Sequence, residues 1–132
     1  MAGELEQGLY AHLIGWEWVS GLTGDRVFPV VIPEDADLPA VAYQRISGPR
    51  LLAHDGPTGL AEGRVQVTVV GRSYAEAKEI GAGIRHLLDG WRGILGGACE
   101  VFSCRVENEV DGWGEPIEAN TLRLDLYFHY RE

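Results

Sequence analysis

The sequence predicts an α+β fold: a mainly antiparallel sheet of four to five strands with two helices packed on one face. Three observations carry that expectation. The first is the closing segment, where Leu122, Leu124, Leu126, Phe128 and Tyr130 alternate with Arg123, Asp125, Tyr127, His129 and Arg131; a period of two with one apolar side describes a strand with one wet face. The second is Ser73-Tyr74-Ala75-Glu76, an S-x-x-E capping box that opens a helix. The third is the order of the periods, helical then alternating, helical again, then two alternating segments, which suits helices collected on one side of a sheet.

The elements follow in chain order. From Glu4 to Ser20, Leu5, Leu9, His12, Leu13, Trp16 and Val19 fall on one side of a helical wheel. Glu6 near the start suits the helix dipole, and Gly21 and Gly24 supply the stop. Tyr10, Ile14 and Trp18 lie off the stripe and leave apolar surface for a partner. Arg26 to Pro39 holds Pro29, Pro33 and Pro39 around Val30-Val31-Ile32 and the acidic turn Glu34-Asp35-Ala36-Asp37; proline donates nothing to a ladder, so a strand here is short and at an edge. Val41 to Ile46 is a strand candidate, and Gly48 to Gly63, with Pro49, Gly56, Pro57 and Gly59, reads as a long loop. Arg64 to Gly71 alternates Val65, Val67 and Val69 with Arg64, Gln66 and Thr68. The helix after Ser73 has an apolar stripe of Ala77, Ile80, Ile84, Leu87, Leu88 and Trp91, with Lys78, Glu79, Arg85 and His86 opposite. Gly93 to Gly97 reads as a connector, and Glu100 to Glu109 and Thr121 to Arg131 as strands joined by a turn-rich stretch, Val110 to Pro116.

The chain's 132 residues, 45% hydrophobic and 23% charged, fit a single domain spanning residues 1–132. Its net charge of −9 and pI near 4.8 argue against binding to phosphate backbones or anionic lipid. No apolar run approaches the roughly 18 residues of a membrane span, and the acidic opening is unlike the basic start of an export signal. Cys99 and Cys104 are five apart, so in a regular strand they face opposite ways and do not pair; two thiols outside any CxxC spacing fit a reduced compartment.

Candidate chemistry is sparse. His54-Asp55 resembles a carboxylate-oriented imidazole, yet Asp-Gly-Pro is turn chemistry and no nucleophile accompanies it. His12, His54, His86 and His129 have no helical metal spacing, so no metal or cofactor is expected. The glycines of Gly93-Ile94-Leu95-Gly96-Gly97 follow a helix instead of opening one, unlike a phosphate loop. The acidic stretches at 34–37 and 107–109 lack EF-hand spacing. Trp113, between Gly112 and Gly114, either folds onto its own core or anchors a partner.

Read together, several stretches resemble the tail terminator, or tail-completion, proteins of long-tailed bacteriophages. They are the N-terminal helix, Arg26-Val27-Phe28-Pro29, Ile32-Pro33-Glu34 with Leu38-Pro39-Ala40-Val41-Ala42-Tyr43-Gln44, and His54-Asp55-Gly56-Pro57-Thr58-Gly59-Leu60. Arg64-Val65-Gln66-Val67, Ser73-Tyr74-Ala75-Glu76-Ala77 and the Leu122-Asp125-Tyr127 strand complete a collinear order over nearly the whole chain. The resemblance implies a virion protein of the tail, made in the bacterial host cytoplasm, with no catalysis and no cofactor. It would form a homo-hexameric ring that caps the tail tube, ends tube polymerisation and offers the head-joining surface. Partners would be further copies, the tail tube protein and the head connector or stopper protein, with DNA passing the lumen without specific binding. Candidate ring or partner residues are Tyr10, Ile14, Trp18, Arg26, Arg50, His54, Asp55, Arg64, Arg72 and Trp113. Two other readings stand beside it: a head-completion, connector or other minor tail subunit, and, from a different class, a small hydrolase or ligand-binding enzyme using His54 and Asp55.

Overall fold

The computed structural model describes residues 4–48, 50–53, 56–97, 99–113 and 119–131. The fold is α+β with an antiparallel-dominated sheet, as the sequence predicts, but the described residues form seven strands and three helices instead of four to five and two. Helix α1 (Glu4–Ile14) and helix α2 (Glu17–Thr23) replace the single first helix. The break falls at Gly15 and Trp16, where the Trp16 amide donates to the Leu13 carbonyl and α2 starts without a side-chain cap. After them come β1 (Val27–Pro29), β2 (Ala40–Ser47), β3 (Arg50–Ala53) and β4 (Gly56–Gly71), then α3 (Tyr74–Leu88), β5 (Gly93–Leu95), β6 (Cys99–Trp113) and β7 (Asn120–Arg131).

Two stretches read as connections are strands. Much of the glycine-rich segment 48–63 forms β3 and the start of β4, which pair antiparallel from Arg50↔Ala61 to Ala53↔Gly56. The segment 93–97 supplies β5, paired antiparallel with the start of β6. Glycine and proline signalled turns there, whereas ladder bonds to an already formed neighbour override such local preferences. The turn-rich stretch likewise begins later than its glycines suggest, because β6 pairs with β7 as far as Trp113↔Asn120.

The sheet runs β1-β2-β4-β7-β6-β5, with β3 off this path beside β4; among the described residues only β1 with β2 is parallel. All three helices serve one face. Leu5, Leu9 and Leu13 of α1, Val19 of α2, and Ala77, Ile80, Ile84 and Leu88 of α3 share a core with Val65, Val67 and Val69 of β4 and with Leu122, Leu124, Leu126, Phe128 and Tyr130 of β7. Gly81 lets α3 close on the sheet: a Cβ there would overlap the Leu122 side chain. A smaller apolar cluster occupies the other face at one end, where the proline-rich segment brings Ile32, Phe28 and Leu38 against Ala40, Ala42 and Val70.

The cysteines correct a simple expectation. Cys99 and Cys104 are both buried in the main core, not on opposite faces, because the β6–β7 register shifts between Val101 and Ser103. One extra residue, Phe102, inserts there as a β-bulge and changes which side chains face inward. Burial pushes the Cys104 thiol up to about 12, with the Asp89 charge adding to it.

Candidate functional site

Outside the core, three surfaces stand out. The first is the sheet face away from the helices, where β4, β7 and β6 present a charge grid. Tyr127 donates its hydroxyl to Glu62, which also lies 3.3 Å from His129 Nε2, while His129 Nδ1 is 3.0 Å from Ser103 Oγ. Arg64 and Arg105 both reach Glu107, at 3.4 and 3.1 Å, and Arg131 reaches Glu100 at 3.1 Å. Arg105 lies over the Tyr127 ring and Arg131 over that of Phe102. The phenol's hydrogen bond holds the Glu62 carboxyl below the usual carboxylate range and raises the phenol. The grid balances its charges, so the chain's acidic surplus lies elsewhere, including the exposed turn of Glu34, Asp35 and Asp37.

The second surface is the far end of β6. Beyond Val106 the strand leaves the core, and Val110 is 46% and Trp113 66% exposed. Its acids bind back to α3: Lys78 lies 3.0 Å from Glu109 and 3.2 Å from Asp111, and the Tyr74 hydroxyl donates to Asp111 at 2.9 Å. Those pairs fix the strand beside α3 and leave the indole in solvent. Of the two fates open to Trp113, the fold-back onto its own core is therefore not taken.

The third surface is a groove of about 440 Å³ at the opposite end, between the C-terminal ends of α1 and α3 and strand β5. Its walls include Ala11, His12, Trp16, Leu87, Trp91 and Ile94. The His12 ring lies 5.0 Å from that of Trp91, and burial lowers the His12 pKa, so near neutral pH the imidazole joins the wall uncharged. Sequence reasoning missed this groove. It placed His12, Trp16 and Trp91 on core stripes and Ile94 in a connector. The available signal was that those stripes carry more aromatic area than two helices on a small sheet can bury.

The predicted interface residues divide by position. Tyr10 and Ile14 are half-buried against the core, Tyr10 beside Tyr43. Trp18 is 38% exposed and packs on α3 at Gly83, where a Cβ would overlap its ring. Arg26 spends two donors on its own chain, Nε on the Pro39 carbonyl at 3.0 Å and Nη2 on the Leu22 carbonyl at 3.3 Å. Arg64 joins the charge grid. Arg72 pairs with Glu76 at 2.7 Å, and Glu76 also accepts the Arg72 amide while its own amide donates to Ser73 Oγ. The capping box forms, with its return bond one residue earlier than in the standard arrangement. Arg50 lies in β3, whereas His54 and Asp55 lie outside the described residues. Of the ten, Tyr10 and Ile14 are neighbours one turn apart on α1, and the other described ones are spread over separate elements. No cluster of three or more His, Cys, Asp or Glu suited to a metal ion occurs among the described residues.

A chain from the virion of a native gene transfer agent particle superposes with a TM-score of 0.69 at 19% identity, covering 99% of this chain and 97% of that one. A second solved chain gives a TM-score of 0.62 at 16% identity, covering 100% of this chain and 96% of its own. At such identities the likeness is one of fold. No curated protein matches the sequence. The family described as tail completion protein gp17 matches residues 7–115, from the first helix through the exposed end of β6. The chain therefore belongs to the tail completion protein gp17 family and is a structural component of the bacteriophage tail.

Proposed function

We propose that six copies of this chain, each acting as one domain over residues 1–132, close into a homo-hexameric ring. The ring caps the tail tube, ends its polymerisation and presents the head-joining surface to the connector or stopper protein. The observation that carries the reading is that one chain leaves two unlike apolar surfaces uncovered at opposite ends, the Trp113 tip and the groove around Trp91. Rings form from heterologous contacts, in which two different patches of the same subunit meet. A self-complementary dimer needs only one such patch.

The charge distribution supports a conduit. A net charge of −9 per copy accumulates around a closed ring and repels a polyanion, so that DNA passes without specific binding. Surplus acids such as Glu34, Asp35 and Asp37 are the candidates to face the lumen. Synthesis in the host cytoplasm and incorporation into the virion follow from the same reading. Native mass spectrometry over a range of concentrations tests it. The expected result is a discrete species near six times 14.5 kDa; a monomer at every concentration, with the tail tube protein present as well as absent, overturns the ring.

A further inference from the structure

One lateral edge of the sheet is closed by its own backbone. Strand β1 lies outermost and pairs with β2 on one side, in parallel from Val27↔Val41 to Pro29↔Tyr43. The Arg26 carbonyl accepts from the Val41 amide at 3.0 Å and the Val30 amide donates to the Tyr43 carbonyl at 2.8 Å. Backbone groups of Arg26, Phe28 and Val30 therefore turn toward β2, and those of Val27 and Pro29 turn outward. Each outward donor is removed. The Val27 amide donates to the Asp25 carbonyl at 2.8 Å, the Val31 amide turns back onto the Pro29 carbonyl at 2.7 Å, and Pro29 between them has no amide hydrogen. We propose that Pro29 and the turn centred on Val30 form a built-in stop against strand addition at β1, so that other chains meet this side of the sheet through side chains and not through a shared ladder. The stop belongs to the single chain and stands whether or not copies close into a ring.

The sequence shows what the stop holds back. Val27-Phe28-Pro29-Val30-Val31-Ile32 is a run of β-branched and aromatic residues without a charge, interrupted only by the proline. Such a run on an open edge is a template for pairing with other chains. Val30 and Val31 are 57% and 58% exposed, so the run would present its apolar side chains together with its backbone. The turn holds Val30 at φ 66°, which a β-branched residue adopts only where its surroundings impose it. An i→i+2 bond around a residue at positive φ is the rarer, strained form of γ-turn. Both sides of it are pinned: Val30 by its bond to Tyr43, and Ile32 by burial against Ala40, Ala42 and Val70. The opposite edge is guarded by other means. Past the short β5, the Gly90 amide occupies the Cys104 carbonyl at 2.7 Å and the Asp89 carboxylate takes the Val106 amide at 2.9 Å. Glu107, Glu109 and Asp111 follow, and charged side chains on an edge disfavour pairing.

Pro29→Thr tests the stop by restoring an outward donor in the middle of the run. Pro29 is exposed, and circular dichroism with thermal unfolding checks that the variant folds. Light scattering and thioflavin T fluorescence over a range of concentrations should show sheet-like association beyond any wild-type species. One gained backbone hydrogen bond per contact strengthens that association by up to roughly tenfold. Adding Val31→Lys to Pro29→Thr should return the wild-type behaviour, because a lysine at the edge blocks pairing. A folded Pro29→Thr that matches the wild type at every concentration overturns the stop. Association that the added lysine does not reverse overturns it as well, since the edge is then not the route. If Pro29→Thr does not fold, hydrogen exchange on the wild-type chain decides. The Val27 and Val31 amides, which no neighbouring strand covers among the described residues, should exchange roughly tenfold or more slowly than in an unstructured chain; free exchange at both overturns the proposal.

Discussion

Strands β6 and β7 lie side by side and pair along most of their length, yet they have opposite fates. β7 sits between β4 and β6, and five of its side chains, from Leu122 to Tyr130, enter the core. β6 has only the three-residue β5 outside it, bulges twice against β7, and runs exposed from Glu107 to Trp113. A strand with neighbours on both sides has its register fixed by what it buries. A strand at an edge is free to bulge and to carry side chains the monomer does not use. The central strand thus specifies the fold, and the edge strand carries side chains, Val110 and Trp113, that the single chain leaves in solvent.

Mutational effects should separate the two strands. Phe128→Ala in β7 removes a fully buried ring and should destabilise the chain by about 3–5 kcal/mol, measured by urea denaturation. Trp113→Ala at the end of β6 should shift the same curve by less than about 0.5 kcal/mol. Equal losses would place Trp113 in the core and erase the contrast. Gly81→Ala adds a methyl where α3 meets the buried Leu122 of β7; overpacking there should cost about 1–3 kcal/mol, read as a lower denaturation midpoint with an unchanged slope. The smallest effect belongs to the groove end. Burial lowers the His12 pKa from its usual 6.5, so below that value the unfolded chain takes up a proton that the folded chain resists. Stability from this group is complete above pH 6.5 and declines as pH falls toward the depressed folded value. His12→Gln should flatten that part of the pH profile, and an unchanged profile would show His12 solvated in the fold.

How much the sequence disclosed follows the same division. β7 was legible residue by residue, because alternation registers burial on one face and nothing interrupts it. The helix of Tyr74–Leu88 was legible through its cap, a local device whose hydrogen bonds depend on the neighbouring residues alone. β5 and the β3–β4 pairing were not, since their stability comes from ladder partners distant in sequence while their own residues include glycine and proline. The inward turn of Cys99 and Cys104 was hidden for a related reason: a bulge is a relation between two strands, and counting along one cannot reveal it. Trp113 was recognised as a candidate anchor, whereas the groove was not, because Ala11, His12, Trp16, Leu87, Trp91 and Ile94 converge only when α1, α3 and β5 are packed together.

The bulge at Phe102 reaches beyond geometry. Paired without a bulge, the same run would alternate regularly, and Cys99 and Cys104, five apart, would set one sulfur outside. With it, both thiols are enclosed, and Cys104, at about 12, carries almost no thiolate at neutral pH, the form that oxidants and alkylating agents attack. The bulge therefore keeps both sulfurs away from disulfide cross-linking and from slow ageing by oxidation.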